Sequence, residues 1–257
     1  MSTRALQHSA TVLHREQLSE HLVRLRLGGE GLRTLTSTGI ADEWVGLIVP
    51  GQFQSRYYTV RRLDHGELTL DVVVHDVGLV TEWAGGDCVG DEVTITDAKG
   101  SFLLPADVEW LLLVGDLTAM PAMARICEEH PGLPITVVAE TPEPLAGYLP
   151  DGVTVHWSAG HGEGLAAAVE ALDWPEGPGY FWMAGESAQM RAIRKHLMRE
   201  RKLPSTHYDV MGYWRATAGR QPRAVDPGPI YRAGKAAGKT DQEIWADYDA
   251  AREKSDD

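Results

Sequence analysis

A change of patterning near residue 109 constrains the fold more than any other feature of the chain. Before it, short runs rich in β-branched and aromatic residues, several alternating in polarity, lie at 10–14, 22–26, 55–61, 68–75 and 92–96, with glycine-rich punctuation between them. Alternation places every second side chain on one face, as a strand with one buried side requires. A series of such strands predicts an antiparallel barrel. After residue 109, largely apolar runs at 110–114, 135–139, 153–157 and 180–184 alternate with helical stretches near 120–129, 164–172 and 187–202. Strands apolar on both faces need cover on both faces, which predicts a parallel, doubly wound sheet. At roughly 150 residues per domain the chain has room for both parts. The expected division is a barrel at 1–107, with Pro105 closing its last strand, an α/β domain at 108–211, and an appendage at 212–257. The appendage is rich in Gly, Pro and charge and has a helical pattern at 242–254. Its Tyr213, Trp214, Tyr231 and Trp245 call for packing on the body rather than exposure.

Composition narrows the class further. With 43% hydrophobic and 24% charged residues the chain reads as globular. Its longest apolar stretches, such as 110–114, fall far short of the ~18 residues of a membrane span. No N-terminal apolar run sits behind positive charge, and Cys88 and Cys127 form neither a disulfide framework nor a metal-ligand spacing. The expectation is a soluble monomer in the reducing cytoplasm. A formal charge of −13 repels nucleic acid and anionic membrane. Residues 191–239 run against that trend, with 12 Lys/Arg against Glu200, Asp209 and Asp226; the local excess of +9 leaves −22 on the remainder. Such a segment is either a patch for an anionic small ligand or acidic partner protein, or a solvated basic face.

The densest chemistry lies at 56–61, Arg-Tyr-Tyr-Thr-Val-Arg. On a strand Arg56, Tyr58 and Val60 share one face, and Tyr57, Thr59 and Arg61 the other. A guanidinium and an aromatic ring two residues apart suit a ligand that joins phosphates to a flat ring. As a bare pattern it is also an exposed strand with a cross-strand pair. Gly115-Asp116-Leu117-Thr118 follows an apolar strand and precedes a helix, where a doubly wound sheet offers backbone amides to a nucleotide. A helix cap by Asp116 or Thr118 explains it equally well.

Five segments in one order resemble the motifs of the siderophore-interacting proteins, a ferric-siderophore reductase family of the ferredoxin–NADP reductase superfamily. They are Arg56-x-Tyr58-Thr59-x-Arg61; the strand 71–75 followed by Gly78-x-x-Thr81-x-Trp83, where Leu79 replaces a proline often found in the family; Gly115-Asp116-x-Thr118-Ala119-x-Pro121-Ala122; Trp182-Met183-Ala184-Gly185-Glu186; and Gly212-Tyr213-Trp214-Arg215. The resemblance implies an FAD-binding β-barrel followed by a Rossmann-like NAD(P)-binding domain. Arg56 would then neutralise the FAD pyrophosphate, Tyr58 stack on the isoalloxazine, and Thr59 reach flavin N5. Val72, Val73, Val74 and His75 would line the flavin, Gly78 and Thr81 approach the phosphates, and Trp83, Tyr213 and Trp214 complete the cofactor set. Read alone, Trp83 is core packing.

For NAD(P)H the resemblance implies Gly115, Asp116, Thr118, Pro121, Gly185 and Glu186, with Glu140 at the end of the second strand of the sheet. An acid there accepts from an adenosine ribose, whereas a 2′-phosphate wants an arginine, and none occurs between Arg125 and Arg191. The lean is to NADH, with reduced ferredoxin as the alternative donor. Ten histidines scattered without paired spacing predict no protein-held metal, so iron should arrive already chelated. Arg215, Lys235 and Lys239 are the candidates for an anionic ferric siderophore; the two lysines also read as solvated surface.

The expected reaction is reduction of chelated Fe(III) to Fe(II) with electrons from NAD(P)H or ferredoxin by way of FAD. One rival is a general flavin or ferredoxin reductase, which turnover with a ferric chelate against a redox protein would separate. Another is a flavin-loaded siderophore-binding protein without reductase activity, whose flavin spectrum would not change on mixing with a donor.

Overall fold

The computed structural model describes residues 6–215, apart from 53, 76, 77 and 163, together with position 237. Lys235 and Lys239, Tyr231, Trp245 and the helical pattern at 242–254 lie outside these residues. The chain divides into two compact units, Met1–Arg215 and Ala216–Asp257; the first carries the elements that follow.

Six strands, β1 (Gln7–Ser19), β2 (Leu22–Gly28), β3 (Trp44–Ile48), β4 (Arg56–Asp64), β5 (Glu67–Val73) and β6 (Glu92–Thr96), close into a barrel of order β1-β2-β5-β4-β3-β6. Every adjacent pair is antiparallel. Closure leaves no exposed sheet edge. The alternation that marked these strands is what fills the barrel: Val23, Leu25 and Leu27 of β2 point inward with Val60, Leu68, Leu70, Val72 and Ile95. A short helix, α1 (Leu79–Gly85), adds Val80 and Ala84 to this core.

The second layer system is a five-stranded parallel sheet of β7 (Trp110–Asp116), β8 (Ile135–Thr141), β9 (Thr154–Ala159), β10 (Gly179–Glu186) and β11 (Tyr208–Trp214), in the order β11-β10-β7-β8-β9. β7 and β10 are buried along their whole length, as the apolar runs that precede their terminal Asp116 and Glu186 require. Helix α2 (Met120–Glu129) covers one face, where Leu111, Leu113, Met123 and Trp182 share a core with Leu22 and Phe102. Helices α3 (Leu165–Glu170) and α4 (Ser187–His196) cover the other, over Leu112, Val114, Phe181 and Met183. The barrel therefore docks on the α2 face.

Three elements were not legible as such in the sequence. β3 is five residues broken by Gly46, bare because a Cβ would press on Ser55 and Thr96. α1 is a seven-residue helix behind a glycine. β11 carries Gly212, Tyr213 and Trp214, where the sequence reading began the appendage, into the sheet beside β10. Pro105 does not close a strand: β6 ends at Thr96, and one further bridge, Lys99 to Trp44, precedes the coil that holds the proline.

The barrel and sheet are fastened through α2. The Arg125 guanidinium donates to the Val60 carbonyl at 2.7 Å and to Glu43 Oε1 at 3.1 Å, and Arg61 forms a two-pronged pair with Glu128. Glu43 is 1% exposed and also accepts from Ser37 and Thr38, so its charge is fully engaged inside the protein. Removing one cationic partner from a buried carboxylate is costly even when other donors remain. Arg125→Met should lower the unfolding free energy by about 2 kcal/mol, read as a lower urea midpoint with an unchanged slope; an unaltered midpoint would remove Arg125 as a fastener.

Candidate functional site

Strand β4 presents its motif as alternation dictates. Arg56 is exposed and forms no ion pair among the described residues. Tyr58 is half-buried against the barrel core, and burial pushes its hydroxyl up to about 12, with Arg56 pulling the other way. Thr59 points to the opposite side and is buried. Val72 is in the barrel core, Val73 and Val74 are half-buried, and His75 is exposed.

Gly78 begins α1 with φ of 137°, a conformation glycine tolerates, and a Cβ there would meet Thr81 Cγ2 at 3.3 Å. The Thr81 hydroxyl accepts from the His75 N–H at 2.6 Å and lies 3.1 Å from the His75 carbonyl, so it shapes the turn between β5 and α1. Trp83 packs on the barrel core and donates its indole N–H to Asp91 at 2.8 Å.

Across the interface stands Tyr213 of β11, edge-on to Trp182 with ring centroids 6.4 Å apart. Its hydroxyl is buried beside Thr59 but lies in hydrogen-bond geometry with no described residue. Burial drives this phenol well above its ordinary range, with Asp42 adding to the rise and Thr59 opposing it. Gln52 Oε1, just before β4, is likewise buried without a partner among the described residues. Buried polar atoms are nearly always paired, so these two, with Arg61 Nε and Trp182 Nε1, which likewise lack a hydrogen-bond partner among the described residues, mark positions open to a further polar group. An exposed guanidinium and a half-buried aromatic ring on one face of β4, with the Thr59 and Tyr213 hydroxyls on the other, are groups of the kinds that the phosphates, ring and polar edge of FAD would need.

The carboxyl edge of the sheet holds the second group of expected residues. Gly115 is bare because α2 packs close: a Cβ would collide with Ala119 and stand 3.1 Å from the Ala184 carbonyl. Asp116 is 2% exposed. Its Oδ1 accepts from the Thr118 N–H at 2.9 Å and hydroxyl at 2.5 Å, and its Oδ2 from the Trp214 indole at 2.7 Å. Pro121 is buried in the first turn of α2.

Glu140 occupies the end of β8, but both of its oxygens hold the loop after β9, accepting from the Gly162 and Gly164 amides at 2.8 Å each. Glu186 caps α4, accepting from the Ala188 and Gln189 amides, and Gly185 passes beneath Asp116 with φ of 149°.

The structure thus brings Thr59, Tyr213, Trp214, Asp116 and Gly185 into one region. Arg215 follows β11 and is exposed. The cations of α4 and the turn after it, Arg191, Lys195 and Arg199, lie on the sheet face turned away from the barrel, so this part of the basic segment does not line the barrel side. Among the described residues no cluster of three or more His, Cys, Asp or Glu could hold a metal ion, and no helix is long and apolar enough to cross a membrane.

Sequence reasoning missed the interface set of Arg24, Asp71 and Tyr148. Arg24 grips Asp71 with two bonds of 2.8 Å, and the Tyr148 hydroxyl donates to Asp71 at 2.5 Å. Arg24 and Tyr148 border a cavity of about 470 Å³ between the barrel and the loop after β8. Isolated single residues, two on separate barrel strands and one in the loop after β8, left no spacing to find them by.

Burial holds the Asp116 carboxyl above the usual carboxylate value of 3.8, against the opposing pull of Thr118 and Trp214. The folded protein therefore binds this proton more readily than the unfolded chain, and stability falls as pH rises from about 3.8 to the raised folded value. The unfolding free energy of Asp116→Asn relative to wild type should rise with pH through that window and level off above it. A difference independent of pH would mean that Asp116 titrates alike in both states.

Residues 108–217 match the family described as siderophore-interacting protein, and residues 51–102 match the siderophore-interacting FAD-binding domain. The chain is 30% identical over 235 residues to the mycobactin import ATP-binding/permease protein IrtA of Mycolicibacterium smegmatis, covering 84% of this chain and 26% of that protein. It therefore spans about a quarter of that relative's length. To the NADPH-dependent ferric-chelate reductase of Escherichia coli it is 27% identical over 235 residues, covering 80% and 92% of the two chains. A siderophore utilization protein from T. fusca has the same fold at a TM-score of 0.73 and 27% identity, over 84% of this chain and 95% of that one. Two matched segments that span the barrel motif and the whole parallel sheet, with the site geometry between them, assign the chain to the siderophore-interacting protein family.

Proposed function

We propose that this protein is an FAD-dependent ferric-siderophore reductase, releasing iron by reducing chelated Fe(III) to Fe(II). The observation that carries the reading is the juxtaposition of Thr59, in the Arg56-x-Tyr58-Thr59 strand, with the buried Tyr213 hydroxyl, which lies in hydrogen-bond geometry with no described residue. Bound FAD supplies the conversion of a two-electron donor into single-electron steps that ferric iron needs. The chain's own part is binding and orientation: Arg56 neutralises the pyrophosphate, Tyr58 offers its ring to the isoalloxazine, and Thr59 with Tyr213 directs hydroxyl groups at the polar edge of the flavin. The end of β5 and the two residues after it, 72–75, give their backbone to the flavin, and Gly78 turns its amide, which donates to Glu82 Oε1 at 3.4 Å, to the phosphates.

The donor in this reading is NAD(P)H, held at the carboxyl edge of the sheet by Gly115, Thr118, Gly185 and their neighbours. Glu140 spends its oxygens on backbone amides, so the lean to NADH rests on the lack of any arginine from 126 to 190. The relative named as NADPH-dependent favours the phosphorylated cofactor, and reduced ferredoxin is the alternative donor. Arg215 is the candidate among the described residues for meeting an anionic ferric siderophore; Lys235 and Lys239, the other candidates, lie outside them. The protein works as a cytoplasmic monomer, with domains dividing near 107 and after β11.

Purified protein reconstituted with FAD should be yellow, lose its flavin bands on anaerobic addition of NADH or NADPH, and regain them with a ferric siderophore while a ferrous-specific chelator develops colour. Bleaching without reoxidation by ferric chelates, but with reoxidation by free flavin or ferredoxin, would replace the reading with a general reductase. Arg56→Ala should weaken FAD binding by roughly tenfold to a hundredfold, the effect of a lost hydrogen bond to a charged group; unchanged retention would strip Arg56 of its phosphate role. Tyr213→Phe removes a hydroxyl that lies in hydrogen-bond geometry with no described residue, so apoprotein stability should hold within about 0.5 kcal/mol while FAD affinity falls. Loss of apoprotein stability with FAD affinity intact would make the hydroxyl structural.

A further inference from the structure

The winding of the sheet reverses between β7 and β10: α2 leaves β7 on one face, and α3 and α4 flank β10 on the other. In open α/β sheets the crevice at such a reversal, outside the carboxyl ends of the strands, is where nucleotides bind. Here a side chain of the protein already lies across it. Trp214, the last residue of β11, reaches over β10 and gives its indole N–H to Asp116 Oδ2 at the end of β7. The strand it crosses has only Gly185 beneath Asp116, where a Cβ would stand 2.5 Å from the same oxygen. The Trp214 carbonyl is held by Ser187 Oγ at 2.7 Å, which fixes the backbone from which the ring projects. The glycine loop after β9 closes in from the far side, with Gly162 bare because a Cβ would lie 2.7 Å from Asp116 Oδ2.

We propose that the Trp214 indole is an internal lid on the nucleotide crevice, latched by Asp116, and that a pyridine dinucleotide is admitted only when the indole–carboxylate bond breaks and the ring swings aside. The inference rests on the reading that NAD(P)H is the donor. It gives Trp214 a role other than the flavin contact implied by resemblance. Trp214 is half-buried rather than sealed in the core. Asp116 is not free to follow it, being tied to Thr118 by two bonds. A ligand that binds the open arrangement alone has its apparent affinity reduced by the fraction of molecules that are open. Weakening the latch must therefore tighten dinucleotide binding, the reverse of what loss of a stacking contact would do.

The test is calorimetric titration of the FAD-loaded wild type, Trp214→Phe and Trp214→Ala with NAD+ and with NADP+, each variant first matched to wild type by its bound-flavin absorbance. Trp214→Phe keeps an aromatic ring and loses only the N–H, and should bind the preferred dinucleotide about tenfold more tightly, the factor that 1.4 kcal/mol represents. Trp214→Ala should bind at least as tightly as Trp214→Phe. Equal or weaker binding by both variants would overturn the lid, as would binding to none of the three proteins. The same preparations, reduced with dithionite and mixed with a ferric siderophore, report on the reductase reading separately: reoxidation by the chelate upholds that reading even where the lid fails, and its absence removes that reading even where the lid stands.

Discussion

The close approach of α2 to β7 is the constraint on which the remaining geometry depends. Gly115 has no side chain because Ala119 and the Ala184 carbonyl occupy the space, and that lets α2 lie flat on the sheet. From there Arg125 and Glu128 reach β4 and grip it at Val60 and Arg61, the two residues that follow Thr59. The barrel motif is thereby held against the sheet at the height of Tyr213. A looser helix would leave both halves folded and still separate the aromatic and guanidinium groups of β4 from the aromatic residues of β11.

Acidic residues at the carboxyl edge of the sheet are largely internal structure. Glu140 organises the loop after β9 through two backbone amides, Glu186 caps α4, and Asp116 ties Thr118 to Trp214. Each carboxylate satisfies N–H groups that a strand end or helix start leaves without partners. Negative charge there is not an open surface that repels a dinucleotide. Position in sequence alone made Glu140 look like a ribose acceptor, because an acid that ends a strand is the same string of letters whether it faces a ligand or its own backbone.

Positive charge follows a similar rule. The basic segment looked like one patch in sequence, yet α4 carries its cations on the sheet face opposite the barrel. A helix of 3.6 residues per turn that buries Met190, Ile193 and His196 has no choice but to turn its polar side outward from that layer. Which layer α4 joins is settled by the order of strands in the sheet, a long-range property that local composition does not encode.

Periodicity alone determined the two architectures, because a strand buried on one face must alternate and a strand buried on both must be apolar throughout. It set α2 at Met120–Glu129 and gave the approximate extents of most barrel and sheet strands. It also presented Arg56, Tyr58 and Thr59 on opposite faces of one strand, since a period of two leaves no other arrangement. Tertiary structure alone decided which partners those faces would meet. Thr59 beside Tyr213, Trp214 on Asp116 and Tyr148 on Asp71 join residues separated by 77 positions or more. The first and third pairs form where the barrel docks on the sheet and the second where β11 joins the sheet beside β10, and shape and burial at those surfaces, rather than spacing along the chain, select them.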